Sequence, residues 1–117
     1  MRIIAGPCQH ENLSMSFKIA EHCAEVCSKL GIEYIFKASY DKANRTNVDG
    51  TRGMGMSYTM DCLSIIKSMV GCDTLTDVHD YVQAKRISRE FNDSVDILQI
   101  PAFLCRQTDL IKAACDT

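Results

Sequence analysis

Residues 33–78 read EYIFKASYDKANRTNVDGTRGMGMSYTMDCLSIIKSMVGCDTLTDV, and this stretch decides the fold. EYIFKA (33–38) is a short apolar run of the kind that forms a buried strand. MSYTMDCLSIIKSMVG (56–71) is amphipathic at helical spacing and closes on Gly71, a natural helix stop. DTLTDV (73–78) returns to a strand pattern. Strand, helix and strand in that order predict two parallel strands joined by a crossover helix.

The same unit repeats on both sides. Upstream, RIIAG (2–6) is a β run ending at Gly6 and Pro7. SMSFKIAEHCAEVCSKLG (14–31) then sets Phe17, Ile19, Ala20, Cys23, Val26, Cys27 and Leu30 at helical spacing before Gly31. Downstream, YVQAKRISREFN (81–92) reads as a helix, VDILQI (95–100) as a strand and RQTDLIKAACDT (106–117) as the start of a fourth helix. No linker, low-complexity segment or internal sequence repeat interrupts the pattern, so residues 1–117 are expected to form part of one domain with no second domain. Two α/β architectures fit: a small doubly wound sheet, or half of an eight-stranded (β/α) barrel. In both, ligands gather beyond the carboxyl ends of the strands. The chain stops straight after its fourth helix, so the expectation is a piece of a barrel.

Composition narrows the function classes. The chain has 117 residues, 46% hydrophobic and 24% charged, which supports a packed core. A net charge of −2 argues against a dedicated nucleic-acid or membrane-surface protein, because such binding rests on a large basic excess. Seven cysteines, an odd number with no Cys-x-x-Cys pair, and no signal peptide or long apolar span point to a reduced, cytoplasmic protein. Cys23, Cys27, Cys62 and Cys115 read as core residues, and His22 as a partly exposed helix residue.

The strand ends carry the candidate chemistry. Lys37 closes the second strand, with Ser39 two residues on. Lys42, Asn44, Arg45, Thr46 and Arg52 follow in a polar loop. Arginine binds phosphate in a bidentate way, lysine offers a compact point charge, and Asn and Thr match hydroxyls, so the set suits a phosphorylated, polyhydroxylated small molecule. The competing reading is a solvated loop whose cations pair with Asp41 and Asp49. Gly53 and Gly55 mark a turn. Cys8, after Gly6 and Pro7, offers a thiolate as metal ligand or nucleophile, or else a small buried side chain. His10 and Glu11 read as helix-entry residues and not as a metal cluster with it. Asp77 and His79 alternate on one side of an extended stretch, placed to hold a sugar hydroxyl, relay a proton, or simply cap and hydrogen-bond. Gln99, Arg106 and Gln107 add donors near the fourth strand.

Taken together, IAGPC (4–8), FKASYDKANRT (36–46), RGMG (52–55), LTDVHD (75–80) and LQIPAFLCRQTDL (98–110) resemble the 3-deoxy-D-manno-octulosonate 8-phosphate synthases. The likeness runs from about residue 3 to residue 115, with the blocks in order. The 3-deoxy-arabino-heptulosonate 7-phosphate synthases of aromatic biosynthesis share the Gly-Pro-Cys opening. They carry a Lys-Pro-Arg-Thr type loop where this chain has KANRT (42–46), so they rank second. A third reading is a non-catalytic half-barrel that binds phosphosugars and folds on its own.

The first resemblance implies a (β/α)8 TIM barrel, of which this chain supplies about the first four βα units. It implies condensation of phosphoenolpyruvate with D-arabinose 5-phosphate in lipopolysaccharide inner-core biosynthesis, and a homotetramer. Lys37 and Lys42 would face phosphoenolpyruvate; Asn44, Arg45 and Thr46 would hold arabinose 5-phosphate; Asp77 would lie near its hydroxyls; and Gln99, Ala102 and Arg106 would line the phosphoenolpyruvate side. Cys8 matches the class that uses a divalent metal (zinc, iron or manganese), whose His, Glu and Asp ligands belong to the later half of the barrel. The expectation is a partial sequence, inactive alone. After Arg45 the loop departs from the family's usual Ser-Ser-Ile-His-Ser, and Asp73 stands where the family is usually apolar.

Overall fold

The computed structural model describes residues 1–43 and 47–116. Elements alternate as β1 (Arg2–Gln9), α1 (Leu13–Lys29), β2 (Glu33–Ser39), α2 (Met56–Val70), β3 (Asp73–Asp77), α3 (Tyr81–Glu90), β4 (Ile97–Gln99), a short 3-10 turn (Ala102–Leu104) and α4 (Thr108–Cys115). The strands form one parallel sheet in the order β1-β2-β3-β4. That order separates the two expected architectures. A doubly wound sheet reverses its strand order at a switch point. Here every crossover steps to the next place in the same direction, and right-handed crossovers then put all the helices on one face. The arrangement is four consecutive βα units of a TIM barrel.

Alternation along β2 sorts its side chains. Tyr34, Phe36 and Ala38 face the helices and pack with Ala20 and Cys27 of α1 and Met60, Leu63 and Ile66 of α2. Ala84 and Ile87 of α3 and Leu110 and Ala113 of α4 complete that core. Fully burying each larger aliphatic or aromatic side chain contributes about 1.5–3 kcal/mol. Ile35, Lys37 and Ser39 therefore point to the opposite face, with Leu75 and Asp77 of the neighbouring strand. This is the face a closed barrel would enclose.

Local chemistry sets the ends. Asn12 Oδ1 accepts from the Met15 N–H (2.9 Å) to start α1, and Asp80 Oδ1 accepts from the Gln83 N–H (2.7 Å) to start α3. β1 runs three residues beyond the expected run, because a register shift between Ala5 and Cys8 lets it pair on past Pro7 to Gln9. β4 is shorter than expected; just ahead of it the Asp96 carboxylate accepts from the Thr74 N–H (2.9 Å) while the Asp96 N–H donates to the Thr74 carbonyl (3.0 Å). Helix α3 stops at Glu90, where Phe91 turns to φ −137°. Cys27 and Cys62 are buried as expected and Cys23 is half-buried, but Cys115 is exposed, on the solvent side of α4.

Candidate active site

At the carboxyl ends of β1 and β2 two lysines converge on one hydroxyl. The Lys42 ammonium donates to Ser39 Oγ at 2.9 Å and to Cys8 Sγ at 3.1 Å, and the Lys37 ammonium lies 3.5 Å from the same Ser39 oxygen. A serine oxygen has two acceptor lone pairs, so it can hold both cations. Ser39 is inaccessible to solvent, and its carbonyl accepts from the His10 N–H at 2.9 Å. Two ammonium groups held this close attract an anion strongly, because each repels the other until negative charge lies between them.

Cys8 reaches this cluster through a distorted backbone. A Cβ on Gly6 would overlap the Lys37 carbonyl oxygen, so only glycine lets β1 come so close to β2. The bulge that follows turns Cys8 to φ +69°, a left-handed conformation that non-glycine residues seldom adopt, and aims its sulfur at Lys42. Strain of this kind is held in place by the packing around it. Cys8 is an exposed soft donor that fits one position of a divalent-metal site. Among the described residues no group of three His, Cys, Asp or Glu side chains is arranged to hold an ion.

His10 is turned away from Cys8. It is fully buried, its Nδ1 lies 2.9 Å from Ser16 Oγ, and its ring packs 5.6 Å from Tyr58. Burial pushes its pKa below the ordinary imidazole value. The residue enters α1 as expected, yet it belongs to the interior.

The loop after β2 is tied at both ends. Arg52 pairs with both carboxylate oxygens of Asp41 (2.8 and 2.6 Å), which meets part of the expected charge pairing and raises the Arg52 pKa. The Lys42 N–H donates to the Arg52 carbonyl (2.6 Å) and the Gly55 N–H to the Tyr40 carbonyl (3.2 Å). Asn44, Arg45 and Thr46 lie outside the described residues.

Asp77 and His79 share a side, as their alternation predicts. His79 Nε2 lies 3.2 Å from Asp77 Oδ2, and the side chains are only 11% and 9% exposed, respectively. Asp77 Oδ1 and His79 Nδ1 are buried without a hydrogen-bond partner among the described residues, and leaving such an atom unpaired costs about 1–3 kcal/mol. Gln99 lies beside Asp77 in strand register. Ala102 and Arg106 follow on the exposed turn and the segment after it, with no hydrogen bond to the lysine cluster among the described residues.

Two contributors escaped sequence reasoning. Tyr40 OH donates to Gln83 Oε1 at 2.7 Å, and the same oxygen accepts from the His79 N–H at 2.8 Å. The available signal was DYVQ (80–83), a capping box in which Asp80 caps α3 and Gln83 is the returning side chain. Gln83 reaches past the cap to His79 and Tyr40.

Comparison with known proteins gives the chain its relatives. The sequence profile of the DAHP synthetase I family matches residues 1–117. A 2-dehydro-3-deoxyphosphooctonate aldolase of Rickettsia typhi is 49% identical over 115 residues, covering 98% of this chain and 40% of that protein. Proteins of the same name from Granulibacter bethesdensis (50% over 115 residues) and a Synechococcus species (45% over 117 residues) match in the same way. The chain thus spans about two fifths of the length of these relatives. With a profile match from the first residue to the last, over the parallel sheet whose strand ends carry Cys8, Lys37 and Asp77, the chain belongs to the DAHP synthetase I family.

Proposed function

We propose that this chain is part of an enzyme that condenses phosphoenolpyruvate with D-arabinose 5-phosphate and water, giving 3-deoxy-D-manno-octulosonate 8-phosphate and inorganic phosphate. The observation that carries the reading is the pair of ammonium groups, Lys37 and Lys42, meeting at Ser39 in a chain whose relatives bear the octonate aldolase name. Phosphoenolpyruvate is a small, highly charged anion, and converging cations are its natural receptor.

In this reading C3 of the enol forms a bond to the aldehyde carbon, water adds at C2, and the C2–O bond to phosphate then breaks. Positive charge builds at C2 and negative charge on the old aldehyde oxygen. Lys37 and Lys42 hold the phosphoenolpyruvate, and Lys42 also stands close enough to Cys8 to share the charge that develops there. Asp77 receives sugar hydroxyls, for which its oxygen without a partner among the described residues is suited. Asn44, Arg45 and Thr46 take the sugar phosphate, and Gln99, Ala102 and Arg106 line the opposite wall. Cys8 supplies one ligand to a divalent ion (zinc, iron or manganese), which when bound would polarise an oxygen of substrate or water. The remaining ligands come from the part of the relatives' length that this chain does not cover. The setting is a cytoplasmic homotetramer serving the lipopolysaccharide inner core. Among the described residues no helix is long and apolar enough to cross a membrane.

The test is calorimetric titration of phosphoenolpyruvate into the full-length protein and its Lys42→Met and Lys37→Met variants. Each variant is expected to weaken binding at least tenfold, with more loss at low salt than at high. Unchanged affinity in both would remove the cluster as the anion receptor.

A further inference from the structure

Tyr40 sits at the root of the cationic loop, and its contacts run in two directions. Its carbonyl accepts from the Gly55 N–H and so closes the loop's far end. Its hydroxyl donates to Gln83 on the first turn of α3, and Gln83 in turn holds the backbone N–H of His79. The Tyr40 ring also stands edge-on to the His79 ring, with centroids 6.4 Å apart at 74°. A continuous set of contacts thus joins the loop that carries Lys42 to the Asp77–His79 pair on the next strand.

The chemistry of the node is fixed. Tyr40 is only 3% exposed, and burial, reinforced by Asp77, Asp80 and Asp41, raises its pKa above the ordinary phenol value, so the hydroxyl stays a neutral donor. Gln83 Oε1 is the acceptor at both bonds, and the Gln83 N–H is spent on Asp80. Replacing Gln83 by an apolar residue leaves the Tyr40 hydroxyl and the His79 N–H unpaired, whereas removing the Tyr40 hydroxyl takes away one of the two bonds that hold Gln83 Oε1. Gln83 Oε1 is therefore the point at which β2, its loop and α3 are locked together.

We propose that Tyr40 and Gln83 are positioning residues: they hold the Asp77–His79 pair in register with the lysine cluster, so that the sugar is presented to the bound enol. This rests on the reading given under Proposed function, and it assigns neither residue a contact with substrate. The phosphoenolpyruvate cluster is built within β1, β2 and the loop's first residues, so it survives loss of the strut. The sugar end does not.

Two measurements on the full-length protein test this. In steady-state kinetics, Tyr40→Phe and Gln83→Leu should each raise KM for the aldose phosphate about tenfold and leave KM for phosphoenolpyruvate within twofold. The double variant should be no worse than Gln83→Leu alone. Partial unfolding would lower kcat and leave both KM values in place, and that outcome overturns the proposal. The second measurement needs no activity: carbethoxylation by diethyl pyrocarbonate, followed at each histidine by peptide mass spectrometry. Both variants should make His79 react several-fold faster relative to exposed His22, with buried His10 unchanged. Equal His79 rates in wild type and variants refute the strut even if the enzyme turns over neither aldose. An inactive wild type in which His79 is freed by the variants sinks the functional reading and leaves the strut standing.

Discussion

At the scale of single residues, Lys42 bridges Cys8 and the buried Ser39 hydroxyl that Lys37 also approaches. Lys37, Lys42, Ser39 and Cys8 were legible as strand-end chemistry, and they meet within hydrogen-bond distance. His10 was not legible as an interior residue, because its burial depends on Ser16 and Tyr58, contributed by two different helices. Its titration gives a directional prediction. The folded imidazole binds its proton more weakly than the unfolded one, so stability is complete above pH 6.5, the ordinary histidine value, and is lost as pH falls through the lowered folded value. Thermal melts at successively lower pH should show a falling midpoint, with a smaller fall in His10→Gln. Gly6→Ala is expected to cost about 3 kcal/mol or more, since neither its new Cβ nor the Lys37 carbonyl it overlaps can yield. Urea unfolding of the pair measures it.

At the scale of elements, periodicity located the four strands and four α-helices among the described residues but not the 3-10 turn Ala102–Leu104, and the other misses fall at element ends. The expected strand 95–100 shrank to Ile97–Gln99; at its start the Asp96 carboxylate, and not a strand carbonyl, takes the Thr74 N–H. No pattern of apolar residues reveals such a substitution. The Asp80 cap, by contrast, could be read directly from DYVQ. Asp80→Ala should destabilise α3 by about 1 kcal/mol. Because the capped turn also carries Gln83, amide exchange at His79 should quicken with it. Slow, unchanged exchange there would mean that Gln83 keeps its place without the cap.

At the scale of the molecule, strand order could not be read from composition or periodicity, since a doubly wound sheet and a half-barrel share the same alternation. Pairing settles it, because parallel neighbours run β1 to β4 without reversal. The face opposite the helices is partly uncovered among the described residues: Ile4 on it is 52% exposed. Residues 1–117 expressed alone should therefore self-associate, seen as scattering mass above that of one chain. A monodisperse, folded monomer would favour the self-sufficient half-barrel. The measurement closest to the central claim is phosphate release by the full-length protein, fed phosphoenolpyruvate with either arabinose 5-phosphate or erythrose 4-phosphate, before and after chelation. The account predicts rapid release with arabinose 5-phosphate alone, lost on chelation and restored by zinc, iron or manganese. Release with erythrose 4-phosphate in its place, or with neither sugar, would contradict it.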